Sequence, residues 1–149
     1  MNTLRVSLLG SLVAVAFSLV SPVAAAADAE CLLKINDGWI RVPPAAIPVL
    51  AGFGAIANPC DTGVTVVSGS SPGFDEVSIH ETRFEDGMAK MRAIPKLTVP
   101  AGESVTLKPG GLHMMLMKPK RTPVAGDVIR IDFKLDDGRT VSGDFEIRK

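Results

Sequence analysis

Two histidines and two methionines are the side chains of this chain best suited to chemistry. His80, Met91, His113 and Met115 fall within 36 consecutive positions of the sequence. The chain has only two histidines, and every methionine after Met1 lies between residues 88 and 117. Thioether sulfur is soft and neutral, and two thioethers with two imidazoles suit Cu(I) better than Zn²⁺, Mg²⁺ or Ca²⁺. These four residues therefore predict a Cu(I) site.

A hairpin can bring two of the four residues together. Asp86-Gly87 separates two alternating runs, which is typical of a two-residue type I′ turn. With this loop, Thr82 faces Met91, and Met91 lies diagonal to His80 on the same side of the sheet, about 7–8 Å away at Cα. Met88 projects from the opposite face and is assigned to the hairpin surface or the core. A one-residue bulge would reverse this choice of methionine.

The run LHMMLM, residues 112–117, can supply the other two ligands. Alternate residues of a strand face the same side, so His113 and Met115 can converge on one ion. Met114 belongs to the other face and is assigned to the core, whereas Met117 either joins the core or lines the site. Any single methionine or histidine here is more simply explained by core packing or surface exposure. The ligand interpretation depends on the combination.

The N-terminal segment has the pattern of a secretory signal peptide. A short basic region with Arg5 precedes an apolar run, and small residues follow Pro22. We therefore expect residues 1–27 to be a signal peptide and residues 28–149 to be an exported, periplasmic domain. No later segment approaches membrane-spanning length. The sequence DAEC before and at Cys31 lacks the apolar and small residues of a lipoprotein cleavage site.

Charge and cysteine content narrow the class of protein further. The chain has 16 basic and 16 acidic residues, and removal of the leader with Arg5 leaves a net charge near −1. No basic run stands out, which argues against nucleic acid as a partner. Because an exported chain meets an oxidising compartment, Cys31 and Cys60 are expected to form a disulfide. In the chain-entropy model, that bond would stabilise the folded state by about 3–4 kcal/mol, because it closes a loop in the unfolded chain.

The elements that must position these residues are predicted to be strands. Short alternating runs punctuated by Gly, Pro, Asn and Asp indicate one all-β domain, an antiparallel sandwich or barrel, with no sustained helical period. The candidate strands are residues 32–42, 49–58, 63–71, 76–84, 89–94, 104–110, 112–117, 127–135 and 140–148.

The motif resembles that of the periplasmic copper chaperones called PCuAC. The spacing His80-x10-Met91-x21-His113-x-Met115 matches theirs, and so do the surrounding IHET, EDGMAKMR, VPAG and LKPGGLHMMLM, the earlier WIR-x-PP and the later GD-x-I-x-I-x-F. This resemblance covers almost the whole of residues 28–149. It implies a cupredoxin-like Greek-key β-barrel that binds Cu(I) through His80, Met91, His113 and Met115.

The resemblance also implies a function and a partner. A monomeric copper chaperone, not an enzyme, would deliver copper toward the CuA centre of cytochrome c oxidase subunit II or to another periplasmic copper carrier. Many members carry a Met-rich or His-rich tail that helps to hold Cu(II), whereas this chain ends in GDFEIRK. The cysteine pair is not part of the family motif.

Two other classes of protein remain as alternatives. A blue-copper electron-transfer protein needs two histidines, a cysteine and a weak axial methionine, but neither cysteine lies near a histidine in the sequence. A metal-free exported β-sandwich used for adhesion or assembly would need none of the four residues for binding. An enzyme is disfavoured, because Ser78 and Ser104 lie in ordinary strand or turn contexts and no nucleophile-elbow pattern occurs.

Overall fold

Ten β-strands make up the computed structural model, which describes residues 31–45 and 47–149. The predicted signal peptide, residues 1–27, lies outside the described residues. No helix in the described part of the chain is long and apolar enough to cross a membrane. The strands are β1 (Lys34–Arg41), β2 (Val49–Ala57), β3 (Val64–Ser70), β4 (Phe74–Glu85), β5 (Met88–Ala93), β6 (Leu97–Val99), β7 (Ser104–Leu107), β8 (Leu112–Pro119), β9 (Val128–Leu135) and β10 (Thr140–Arg148).

Seven of these strands close into a barrel. Their order is β4-β8-β2-β1-β10-β9-β3, and β3 pairs back onto β4 at Gly69–Val77. Three short strands extend the barrel: β5 pairs with β4, β6 with β3 and β7 with β2. The all-β prediction is confirmed. All pairings are antiparallel except that of β1 with β10, which is parallel.

Strict alternation along the strands builds the core. Every second residue of β10 is buried, so one face of the strand lines the barrel and the other faces outward. On β8 the inward residues are Met114 and Leu116, both fully buried. Gly52 on β2 leaves room for them, since a Cβ at this position would lie 2.7 Å from the Met114 methyl group. Met114 is therefore a core residue, as predicted.

The N-terminal end is fixed to the barrel by the predicted disulfide. Cys31 and Cys60 are bonded, with their Cα atoms 5.6 Å apart. The buried Asn58 organises the turn that carries Cys60: its Oδ1 accepts the Cys60 N–H at 3.0 Å, and its Nδ2 donates to the Val99 carbonyl at 2.9 Å. The turn is thereby held against the end of β6.

Candidate functional site

The two histidines lie directly opposite each other on neighbouring strands. β4 pairs with β8 in a register that sets His80 against His113 and Ser78 against Met115. The two imidazole centroids are 6.1 Å apart. Residues directly opposite in a sheet project from the same face. His80, His113 and Met115 therefore share the outer face of the barrel, whereas Met114 and Leu116 fill its interior.

The hairpin that carries Met91 has the predicted register. Asp86 and Gly87 have φ values of 53° and 74°, as a type I′ turn requires. Thr82 pairs with Met91 and His80 with Ala93, so Met91 lies diagonal to His80 on the outer face. The Met91 side chain is 55% exposed. It stands at the open side of the histidine pair, on a hairpin whose outer strand β5 is exposed along its whole length.

The remaining methionines take different positions. Met88 pairs with Glu85, projects from the other face of the hairpin and is 60% exposed, so it belongs to the surface. Met117 lies on the outer face, two residues beyond Met115, with Glu76 on one neighbouring strand and Val49 on the other. It is half-buried and outside the core, and a role in lining the site stays a prediction.

A backbone carbonyl sets the protonation of the His113 ring. His113 is only 6% exposed, and its Nδ1 lies 2.9 Å from the Gly111 carbonyl oxygen. A carbonyl can only accept, so Nδ1 donates this hydrogen bond, and in the neutral form of the ring Nε2 is the nitrogen with a lone pair. The same oxygen accepts the Thr82 N–H at 3.1 Å. The Gly-Gly turn before β8, in which Gly110 has φ 76°, thus fixes one ring nitrogen and links it to β4.

His80 is held by a side chain of its own strand. Its Nε2 lies 3.1 Å from the Ser78 hydroxyl, two residues earlier on the same face. Burial lowers the pKa of His80 below its ordinary 6.5, and nearby His113 lowers it further, although Glu76 opposes the change. The ring is therefore neutral at pH 7, which is the form that can bind a metal ion.

The carboxylate of Glu81, the residue next to His80, is directed away from this face. On the opposite face of the hairpin, Glu81 pairs with Arg83 at 2.7 Å and with Arg92 at 3.0 Å. Among the described residues, no group of three or more His, Cys, Asp or Glu side chains is placed to hold a metal ion. The outer face instead offers two imidazoles with thioethers beside them, a donor set suited to a soft monovalent cation.

Two features of the site were missed by reasoning from the sequence. One is the Ser78 contact with His80, which the two-residue spacing on one strand could have indicated. The other is an aromatic cluster on the same outer face, in which the Trp39 and Phe53 rings lie 4.6 Å apart. The two rings meet through the irregular register of β1 against β2, and the pairing of β2 with β8 places them beside the site; the sequence carries no local signal for either.

The barrel has the fold of PCuAC domains. The solution structure of CuI-DR1885 from Deinococcus radiodurans is 30% identical, with a TM-score of 0.64 over 86% of this chain and 87% of that one. The apo PCuAC domain from PmoF1 and the copper-bound PCuAC domain from PmoF2 are 22% and 19% identical; each has a TM-score of 0.64 over 78% of this chain and 92% of its own. The predicted resemblance is thus confirmed.

The sequence comparison places the chain in a family. Residues 33–147 match the family described as "Putative lipoprotein LpqE-like", and the chain belongs to this family. A relative from Leifsonia xyli subsp. xyli, "Putative lipoprotein Lxx21020", is 30% identical over 109 residues, which are 72% of this chain. The match covers 64% of the length of that relative.

Proposed function

We propose that this protein is an exported copper chaperone that binds one Cu(I) ion through His80, Met91, His113 and Met115. The observation that carries the proposal is the cross-strand pairing of His80 with His113, with Met115 beside them and Met91 diagonal to His80. Four neutral ligands around Cu(I) leave a site of charge +1. The copper-bound states named for CuI-DR1885 and the PmoF2 domain support the choice of metal.

Transfer of copper is supported by the accessibility of the site. Met91 is exposed on a surface hairpin, so a partner's ligand can displace it first while the less exposed ligands still hold the ion. We propose that the acceptor is the CuA centre of cytochrome c oxidase subunit II or another periplasmic copper carrier. Stepwise ligand exchange of this kind needs no catalysis, and we expect no enzyme activity.

The blue-copper alternative is disfavoured by the disulfide. A blue-copper site requires a cysteine thiolate as ligand. The two cysteines of the chain are bonded to each other, so neither offers a thiolate as a copper ligand. A colourless Cu(I) complex and a Cu(II) form without intense blue colour are therefore expected.

The same disulfide bears on localisation. Lipid attachment would require the thiol of Cys31, whereas this sulfur is bonded to Cys60. We therefore infer cleavage of the leader before Cys31 and release into the periplasm, although the relatives carry lipoprotein names. Mass spectrometry of the exported protein would show two hydrogens lost to the disulfide. A mass increased by a diacylglycerol would contradict this inference.

The proposal is tested by anaerobic Cu(I) titration against a chromophoric Cu(I) chelator. Wild-type protein should bind one equivalent. Met91→Leu and Met115→Leu should each lower the affinity by at least about tenfold, since ligand loss should cost no less than the 10–100-fold loss seen for altered supporting residues. Met88→Leu is the matched control: it lies on the same hairpin with similar exposure but projects from the opposite face.

Two outcomes would contradict the proposal. The first is a wild-type affinity no higher than that of a His80→Ala/His113→Ala double variant. The second is an equal loss of affinity in Met88→Leu and Met91→Leu, which would mean that the hairpin matters but not its outer-face methionine. Circular dichroism of each variant separates loss of binding from loss of fold.

A further inference from the structure

A cationic aromatic platform lies beside the candidate metal site. It consists of Trp39 and Arg41 on β1, Phe53 on β2 and Arg148 on β10. The Arg41 guanidinium carbon lies 5.0 Å from the Phe53 ring centroid and 5.6 Å from that of Trp39. The Arg148 guanidinium lies 5.9 Å from the Trp39 ring on the neighbouring strand. Two guanidinium groups are thus stacked on a pair of rings at the barrel surface, and that of Arg148 is also paired with Glu146.

The platform shares the outer face with the site. Ala51 pairs with Met115 on one side and with Arg41 on the other, so these three residues form one row across β8, β2 and β1. Two strand spacings separate Met115 from Arg41, or about 10 Å at Cα. Because the side chain of Ala51 is only a methyl group, no larger side chain stands between Met115 and Arg41 in this row. Anything that reaches the metal ligands from outside therefore also meets the arginines.

Arg41 differs from the other arginines of the described ranges in the groups that it contacts. Within the described ranges it has no ion pair with a carboxylate, and the two rings are its recorded partners. Every other arginine of those ranges has a carboxylate partner, namely Arg83, Arg92, Arg121, Arg130, Arg139 and Arg148. A stacked guanidinium is held in place and still presents its N–H edge, which matches a carboxylate in bidentate geometry.

We propose that this platform docks an acidic surface of the protein that exchanges copper with this chain; the proposal rests on the function proposed above. Copper transfer requires the partner's ligands to approach within bonding distance of the ion. A standard interface covers about 800 Å² per partner, equivalent to a disc of roughly 16 Å radius. Centred on the histidine pair, such a disc includes Arg41 and Trp39. Arginine and tryptophan are also the residues that contribute most often to binding energy at such interfaces.

Two synthetic acceptor peptides provide the test. Both carry the same methionine-rich Cu(I)-binding core, flanked by glutamates in one peptide and by glutamines in the other. At low salt, the wild-type protein should transfer Cu(I) to the glutamate peptide at least about tenfold faster, because opposite charges steer association. The advantage should shrink in high salt, where these charges are screened. Arg41→Glu should abolish it without changing the Cu(I) affinity.

Lys134→Glu is the matched control. It changes the net charge equally but lies on β9, at least three strands from β8 in either direction around the barrel. This variant should retain the preference for the glutamate peptide. If both variants lost the preference for the glutamate peptide equally, the preference would come from net charge, and the proposal that the platform docks the partner would be wrong. Equal transfer rates to the two peptides by wild-type protein would overturn acidic recognition altogether.

A second measurement works without copper and so separates this proposal from the function proposed above. Trp39 is the only tryptophan of the chain, so its fluorescence reports directly on the platform. Addition of the glutamate peptide to the apo-protein should change the emission in wild type but not in Arg41→Glu. The same change with phosphatidylglycerol vesicles, and none with the peptide, would mean that the platform binds an anionic membrane surface and would overturn the protein partner.

Discussion

His80 and His113 face each other, but their rings are controlled by different groups. The Gly111 carbonyl fixes the proton of His113 on Nδ1, whereas His80 meets a serine hydroxyl that can donate or accept. His113 is consequently prepared to bind through Nε2. His80 has to rearrange its contact with Ser78 if Nε2 is to bind an ion, and it keeps that contact if Nδ1 binds.

The lowered pKa of His80 gives a prediction for the apo-protein. Because burial disfavours the charged ring, the folded state binds this proton less tightly than the unfolded state does. The contribution to stability is complete above the unfolded pKa of about 6.5 and is lost as the pH falls through the lower folded value. Urea unfolding should show a lower midpoint at pH 5.5 than at pH 7.5. His80→Gln should reduce this difference, and an unchanged pH dependence in that variant would assign it to other groups.

At the scale of elements, local signals explain which parts of the site were predictable. Asp86-Gly87 defines the turn chemically, and so the register of β4 with β5 could be read from the sequence and is confirmed. The pairing of β4 with β8 joins segments some 30 residues apart and has no local signature. The direct opposition of His80 and His113 was therefore not predicted. The three-residue strand β6 was also missed, because Pro95 and Pro100 enclose it and it is too short to show alternation.

The hairpin turn itself yields a second prediction. Gly87 has φ 74°, and an added Cβ at this position would meet no atom within 4 Å, so Gly87→Ala tests backbone strain alone. A left-handed alanine should lower the free energy of unfolding by about 1 kcal/mol. Gly63→Ala is the control, since Gly63 has no positive φ and a new Cβ would meet its neighbours at an ordinary 3.8 Å. That variant should be neutral or slightly stabilising. Equal effects in the two variants, measured by urea denaturation, would contradict this account.

At the scale of the whole molecule, we expect the disulfide to affect the stability of the fold and not the binding of metal. Cys31 and Cys60 are 29 residues apart in sequence, so their bond restricts a large loop of the unfolded chain. Cys31→Ser/Cys60→Ser should lower the free energy of unfolding by about 3–4 kcal/mol. The affinity for Cu(I) at a temperature where this variant remains folded should match that of wild type. A large loss of Cu(I) affinity in a folded variant would show that the disulfide and the metal site are coupled.

The fold class of the whole barrel was predictable because alternation, turn residues and the absence of a helical period all indicate strands. Alternation alone left sandwich and barrel open, because the contact that closes the barrel rests on a single pairing between Gly69 and Val77; the barrel was implied by the resemblance and is confirmed. The platform was missed for a similar reason. Trp39 meets Phe53 only after an irregularity between Asn36 and Trp39 shifts the register of β1 against β2.

Among the described strands, β5 has a neighbour on one side only, and this has a consequence for self-association. Its unpaired backbone edge lies next to an exposed methionine and close to Phe84, which is 72% exposed. Such an edge could add a strand from a second copy and cover the metal ligands of both copies. Lys90 and Arg92 place positive charges along it, and like charges on two copies would repel each other. The exposed hairpin can thus bind the surface of another protein, while charge repulsion disfavours pairing of β5 with a second copy of this chain.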